Sequence, residues 1–412
     1  MKKLPFDKKQ IEELSQKHPT PFYIYDEKEI RKNVKNLYNT FSWVKGFKNY
    51  FAVKALPNPL ILNILKEEGC GTDCSSLGEL FLSQKADIVG ENVMFTSNNT
   101  PIEDFKKASE LGAIINFDDI SHIEFYEKEI GKLPEIVCFR YNPGPLKDGN
   151  EIIGKPKDAK YGLTTKQIFE AYSMCKKKGI KRFGLHTMVC SNEINSEYFL
   201  ETMEILFSLA RDVFKKEKIV FEFINIGGGL GIPYREDEKQ LDIEKISKGM
   251  KILYDKFLIQ EGHPEFKIFM ESGRYVTGPY GYLVSRVRHK KETYKSYIGL
   301  DASMSNLMRP GMYNAYHHIT VLGKENIEHS KTYDVTGSLC ENNDKFAIDR
   351  KLPEIDIGDL LVVHDVGAHG HSVGFQYNAK LRSAEFLLRE NGEFEMIRRA
   401  ENLDDYFSTL NF

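Results

Sequence analysis

From about residue 45 to 275, short β-prone apolar runs alternate with segments whose apolar residues recur at helical spacing. Eight runs read as strands: 50–54, 71–74, 93–96, 113–117, 135–141, 183–189, 221–226 and 267–271. Amphipathic segments lie between them. In 101–111, Ile102, Phe105 and Ala108 mark one helix face. Helical patterns also run over 58–68, 165–178, 196–216 and 243–260. Strands alternating with helices predict a parallel sheet, and eight of them predict a closed (β/α)8 TIM barrel. An open doubly wound sheet is the alternative.

Beyond about residue 280 the pattern changes. The runs 282–287, 294–300, 319–322, 332–336 and 360–364 follow one another without helical spacers. They predict a second, mainly antiparallel β domain, sandwich-like or barrel-like. The segment PFYIY at 21–25 either joins that domain or opens the barrel. The expected division is a barrel over 26–280 and a β domain over 1–25 plus 281–412.

Composition adds limits. A chain of 412 residues holds two or three domains at roughly 100–200 residues each. Hydrophobic content of 41% and charged content of 28% are ordinary globular values. A net charge of −3 gives no reason to expect nucleic acid as a partner. No apolar run approaches the ~18 residues of a membrane span. The charged start, MKKLPFDKKQ, leads into no apolar stretch of the signal-peptide kind. A cytoplasmic protein without membrane contact is expected. Cys70, Cys74, Cys138, Cys175, Cys190 and Cys340 form no CxxC pair and no zinc spacing, so reduced thiols and no metal site are expected.

Five places carry candidate chemistry. Lys54 ends the apolar run before a turn with two prolines, Pro57 and Pro59. Burial there would favour a neutral amine, which can condense with a carbonyl or with pyridoxal phosphate. Gly227, Gly228 and Gly229 follow the 221–226 run, where backbone N–H groups can approach a phosphate. The dinucleotide fingerprint GxGxxG fails, because it needs glycine at Ile232 or Tyr234. Glu271 closes the eighth run, where a carboxylate would face the catalytic end of a barrel and could pair with a pyridine nitrogen. Cys340 and Glu341 form an acidic thiol segment in the β domain, suited to proton donation and substrate binding. The segment around His369 and His371, with Tyr377 soon after, adds titratable groups.

In this order the motifs FAVKALPNP, GTDCSSLGEL, FRYNPG, AKYGL, GGGLG, ESGR, MRPGMYNAYHH, SLCENND and QYNAKLRSAE span nearly the whole chain. Together they resemble the pyridoxal-phosphate-dependent decarboxylases of fold type III, built on an alanine-racemase-like barrel, and within them the diaminopimelate decarboxylase family. The resemblance implies pyridoxal 5'-phosphate as cofactor, carried on Lys54 through a Schiff base. It implies Glu271 at the pyridine nitrogen. It places Gly228, Gly229, Gly273, Arg274, Ser191 and Tyr377 around the phosphate or the adjoining substrate, and Asp73 near the lysine. Arg309 and Tyr313 would hold a distal carboxylate, and Glu341 a distal amino group. Cys340 would return a proton to the substrate carbon. It also implies a homodimer whose Cys340 and Glu341 reach the partner's site.

The chain departs from the family pattern at three points. The family reads HxHIGS where this chain has HTMVCS at 186–191, so the ring-stacking second histidine is Met188. Either His186 or the Met188 thioether would take its place. The family's GAYG is GAHG at 367–370, which puts His369 on the substrate side. The family's EPGR is ESGR, with Ser272 for proline. The implied reaction is decarboxylation of a diamino acid, meso-diaminopimelate to L-lysine. A D-lysine or D-ornithine decarboxylase, a cofactor-binding regulator without catalysis, and an alanine racemase are the alternatives.

Overall fold

The computed structural model describes residues 2–150, 152–257 and 262–412. Strand β1 (Phe22–Asp26) comes first. The next eight are β2 (Lys48–Ala52), β3 (Gly71–Cys74), β4 (Val93–Thr96), β5 (Ile114–Phe117), β6 (Ile136–Tyr141), β7 (Arg182–Thr187), β8 (Phe221–Asn225) and β9 (Lys267–Met270). They close into a parallel barrel, with Lys48 of β2 opposite Phe269 of β9. Closure rules out the open doubly wound sheet.

These strands are mostly buried because helices cover their outer side while side chains fill the interior. All four residues of β5 and all six of β6 are buried. Tyr50, Met94, Ile114, Ile136, Cys138, Phe223 and Phe269 form one buried cluster. Gly184 on β7 makes room for it. A Cβ there would stand 2.0 Å from the Phe223 ring.

Local signals set the helix ends. Helix Pro59–Glu67 begins with proline, and the Asn58 side chain accepts the Leu60 N–H at 3.0 Å. Helix Thr165–Lys177 starts from a Thr164–Gln167 capping box. Helix Ile243–Asp255 covers most of the 243–260 pattern. The expected end at 260 lies outside the described residues.

The later strands are β10 (Gly281–Glu292), β11 (Ser296–Leu300), β12 (Ile319–Val321), β13 (Lys331–Thr336), β14 (Lys345–Leu352), β15 (Leu360–Val363), β16 (Ala384–Leu388) and β17 (Phe394–Arg398). With β1 they make one sheet ordered β14-β13-β11-β10-β1-β16-β17, and β15 pairs with both β10 and β12. The sheet is mixed, because β1 runs parallel to β16 and β11 parallel to β13. PFYIY therefore joins the β sheet. Phe22 and Ile24 bury against Tyr282, Val284, Phe386 and Leu388, a partnership that local patterning cannot reveal. Sequence patterning also misses β14, whose burial follows no clean alternation, and β16 and β17.

Contacts divide the described residues into two compact units. One holds 31–232 and 240–275; the other holds 2–30, 233–239 and 276–412. Among the described residues no helix is long and apolar enough to cross a membrane.

Candidate active site

The barrel gathers its polar residues at the C-terminal ends of the strands, the end where barrel loops carry chemistry. Lys54 sits one turn beyond β2, in a 3-10 turn spanning Val53–Ala55. Sequence patterning places it on the strand and buried. The turn corrects this: Val53 and Ala55 take the buried positions, and the Lys54 side chain is exposed. Gly273 packs on the same turn. A Cβ at 273 would lie 2.8 Å from Ala55 Cβ and 3.3 Å from Ala52 Cβ. Ser272 explains one departure from the family pattern. Its N–H donates to Asn49 Oδ1 at 2.8 Å, and Asn49 Nδ2 donates back to the Ser272 carbonyl at 3.1 Å. A proline has no N–H to give.

Glu271 is the centre of the buried polar group. Its Oε2 lies 3.1 Å from His186 Nε2, and its Oε1 accepts from Asn225 Nδ2 at 2.8 Å. His186 is on β7 and fully buried, and its Nδ1 lies 2.6 Å from Asn116 Nδ2 on β5. Burial alone would raise the Glu271 pKa. His186, Arg140 and Lys54 outweigh it and hold the carboxyl below its ordinary range. Asp73, on β3, behaves oppositely. Burial and the charge of Glu271 push it well up, against Lys54. The two carboxyls share one low-dielectric space, and the one with more donors keeps the charge.

Arg140 on β6 is buried, which lowers its pKa against the pull of Asp118 and Glu271. Its guanidinium lies 4.3 Å from the Tyr161 ring centroid, 3.7 Å from Asp118 and 3.2 Å from the Met188 carbonyl.

The glycine run after β8 is a cradle that side chains would fill. Gly227 and Gly229 have φ of +73° and +91°. A Cβ on Gly227 would meet the Thr187 carbonyl at 2.3 Å, and one on Gly228 the Glu271 carbonyl at 2.5 Å. The Glu271 N–H donates to the Gly227 carbonyl at 2.8 Å, so loop and carboxylate are placed together. Met188 closes against the loop and accepts the Gly228 N–H on its sulfur. Ser191 is half-buried, with its N–H donating to Asn150 Oδ1 at 3.1 Å. Arg274 is buried. His186, with both ring nitrogens facing Asn116 and Glu271, is a floor residue; Met188 is the one that faces the loop.

The second unit holds the remaining residues expected from the sequence. Arg309 is buried; its Nε donates to His317 Nε2 at 3.3 Å, and its guanidinium lies 4.9 Å from the Tyr234 ring centroid. Tyr313, on the same short helix, is exposed. That helix packs on the loop carrying Cys340 and Glu341, since a Cβ on Gly311 would meet the Asn343 carbonyl at 2.5 Å. Buried Asp344 pins this loop, accepting the Leu339 and Met304 N–H groups at 2.8 and 2.6 Å. Cys340 is exposed, and its N–H donates to Asn378 Oδ1 at 2.7 Å, which joins the loop to Tyr377. Glu341 is exposed and His369 half-buried, with φ of +53°.

The family described as pyridoxal-dependent decarboxylase, pyridoxal binding domain, matches residues 27–278. This chain belongs to that family. Protein TabA of Pseudomonas amygdali pv. tabaci is 42% identical to it, over 98% of this chain and 94% of the relative. Diaminopimelate decarboxylase of Methanothermobacter thermautotrophicus is 36% identical over 97% of this chain and 93% of the relative. The solved diaminopimelate decarboxylase from M. jannaschii in co-complex with L-lysine superposes with a TM-score of 0.90 at 30% identity, covering 97% and 94%.

The decarboxylase is a pyridoxal-phosphate enzyme acting on amino acids, and the barrel's own residues fit the cofactor. The glycine backbone after β8 lets a phosphate come close, with the Gly227 and Gly228 N–H groups donating to Asn225 Oδ1 and Met188 Sδ. A carboxylate held charged in a buried site suits a protonated pyridine nitrogen. Lys54 supplies an exposed amine whose charge bears on both Asp73 and Glu271. Sequence reading singles out Glu271 and His186 but misses Asn116, Asp118, Arg140 and Asn225. The signal is available. Asn116, Arg140 and Asn225 are polar residues inside strands that are otherwise apolar, and such residues need partners.

Proposed function

We propose that this decarboxylase converts meso-diaminopimelate to L-lysine in the cytoplasm, as a homodimer with shared active sites. The observation that carries the reading is Arg309. Arg309 is buried with its Nε donating to His317 Nε2, and a guanidinium is the side chain suited to a second carboxylate on the substrate. The similarity of nearly the whole chain to diaminopimelate decarboxylases supports it.

In this reading the barrel of 26–280 holds the cofactor, and 1–25 plus 281–412 form the β domain that completes the active site of the dimer. The bound cofactor supplies an electron sink for the bond to the departing CO2. Lys54 holds it covalently, with Asp73 nearby. Gly228, Gly229, Gly273, Arg274, Ser191 and Tyr377 bind its phosphate or the substrate beside it. Glu271 keeps negative charge at the ring nitrogen, with His186 and Asn225 fixing its two oxygens. Arg309 and Tyr313 hold the distal carboxylate, Glu341 the distal amine, and His369 lines the substrate side. The Cys340 thiol delivers the proton that replaces CO2 on the α-carbon. Cys340 and Glu341 act in the partner's site, and both are exposed in the single chain.

Release of CO2 from meso-diaminopimelate, D-lysine, D-ornithine and their L forms tests the substrate. Turnover of meso-diaminopimelate above the monocarboxylates is expected. Activity on D-ornithine or D-lysine with none on meso-diaminopimelate overturns it. Sedimentation of a 47.5 kDa monomer alone would overturn the dimer.

A further inference from the structure

Asn116 belongs to no motif, yet it stands at the end of a three-residue chain leading to Glu271. It is buried at 2% exposure on β5, which pairs with β6, which in turn pairs with β7. Its Nδ2 lies 2.6 Å from His186 Nδ1 and 3.4 Å from Thr96 Oγ1. His186 Nε2 lies 3.1 Å from Glu271 Oε2. An amide N–H can only donate. Its neighbour Nδ1 must then be the lone-pair nitrogen, and the ring proton sits on Nε2, pointing at Glu271.

The opposite tautomer would set a lone pair against a carboxylate oxygen in a buried space. A proton on Glu271, or a second proton on the ring, would relieve that repulsion. The other groups bearing on Glu271 are Lys54 after β2, Asp73 on β3, and Cys138 and Arg140 on β6. Lys54 and Arg140 favour the charged carboxylate, as a doubly protonated His186 ring would, and Asp73 opposes it. None of them selects a tautomer.

We propose that Asn116 is a positioning residue whose amide selects the Nε2–H tautomer of His186 and thereby keeps Glu271 a carboxylate. Its value to the reaction rests on the pyridine-facing role given to Glu271 above; the tautomer itself does not. The competing arrangement is a rotated amide, with Asn116 Oδ1 accepting from a doubly protonated ring. Asn116 Oδ1 is buried and has no hydrogen-bond partner among the described residues, so burial alone does not choose between the two.

Nitrogen-15 NMR of the full-length protein labelled at histidine, with and without cofactor, decides between them. His186→Gln assigns the signal. A proton on Nε2 alone near pH 7 is expected; a proton on Nδ1, alone or with Nε2, overturns the proposal. Asn116→Asp offers only acceptors and should place a proton on Nδ1, so that the ring between two carboxylates holds both protons. An unchanged ring with a proton on Nε2 alone in that variant also overturns the proposal. If Asn116→Asp does not fold, the tautomer measured in the wild-type protein still decides between the two arrangements. Loss of activity on meso-diaminopimelate would leave these signals in place, so failure of the substrate reading is told apart from failure of this one.

Discussion

The sulfur of Met188 accepts the Gly228 N–H at 3.1 Å. The family pattern has a histidine at this position, and here a thioether closes the glycine cradle. Sulfur is a weak acceptor, so its share in shaping the loop is small but measurable. Met188→Leu keeps the bulk and removes the acceptor. The cofactor dissociation constant should rise by about two- to fivefold, in line with a hydrogen bond of roughly 0.5–1 kcal/mol. Equilibrium dialysis with pyridoxal phosphate reads it. An unchanged constant would show that the thioether only fills space.

Arg309→Ala should lower kcat/KM for meso-diaminopimelate by about 10- to 150-fold, the range of a charge-assisted contact worth roughly 1.5–3 kcal/mol. Any turnover of D-lysine should change far less, since it has no second carboxylate. His317→Gln keeps an acceptor for the Arg309 Nε and should fall between wild type and Arg309→Ala. Equal losses on both substrates would make Arg309 a structural residue.

Lys54→Ala should abolish both turnover and the absorbance of the lysine-bound cofactor. Cys340→Ala should keep that absorbance and lose most turnover. If Lys54 of one protomer works with Cys340 of its partner, mixing the two inactive proteins restores one whole site per mixed dimer. Random pairing then gives about a quarter of wild-type activity, from the two-fold symmetry of the dimer. No recovery after exchange would place both residues in one chain's site.

Acidification should weaken the β unit. His364 and His318 pack edge to face at 5.1 Å, and burial pushes them down to about 3 and about 4. Unfolded histidines take up protons near pH 6.5 while these two stay neutral, so stability falls as pH drops below that value. Each contributes roughly 1.4 kcal/mol per pH unit down to its folded value. Asp365, paired with Lys2, is pushed up to about 6 by burial and has the opposite sign between its ordinary value and that pH. His371 is lowered in the same sense as these two, and Asp26 and Asp344 are raised in the same sense as Asp365. The unfolded histidines take up protons from about pH 6.5 down, so the net is a loss. Tm should fall between pH 6 and pH 5. His364→Gln, which can still bond Thr320 Oγ1, should make that fall shallower. An identical slope would mean His364 is charged in the folded protein.

The barrel is legible in the sequence because its signal is local. Strands buried on both faces are continuous apolar runs, and the helices between them carry their own caps, as at Asn58 and Thr164. β4 (VMFT) matches its sequence run to the residue for this reason, and β3 (GTDC) matches too although it is not an apolar run. Lys54 is found by its motif but misplaced by its pattern, because a strand end and a 3-10 turn look alike in a short apolar run.

The sequence by itself determined the alternation of strands and helices, the change of pattern after residue 280, and a set of motifs in family order. Each depends on residues close together in the chain. Only the tertiary structure decided that PFYIY lies between β10 and β16, that Asn116, His186 and Glu271 form one chain of contacts, and that Met188 meets Gly228. Those partners are distant in sequence. Hydrogen bonds reach only about 3 Å, so which polar groups satisfy one another is fixed by closure of the barrel and not by spacing along the chain.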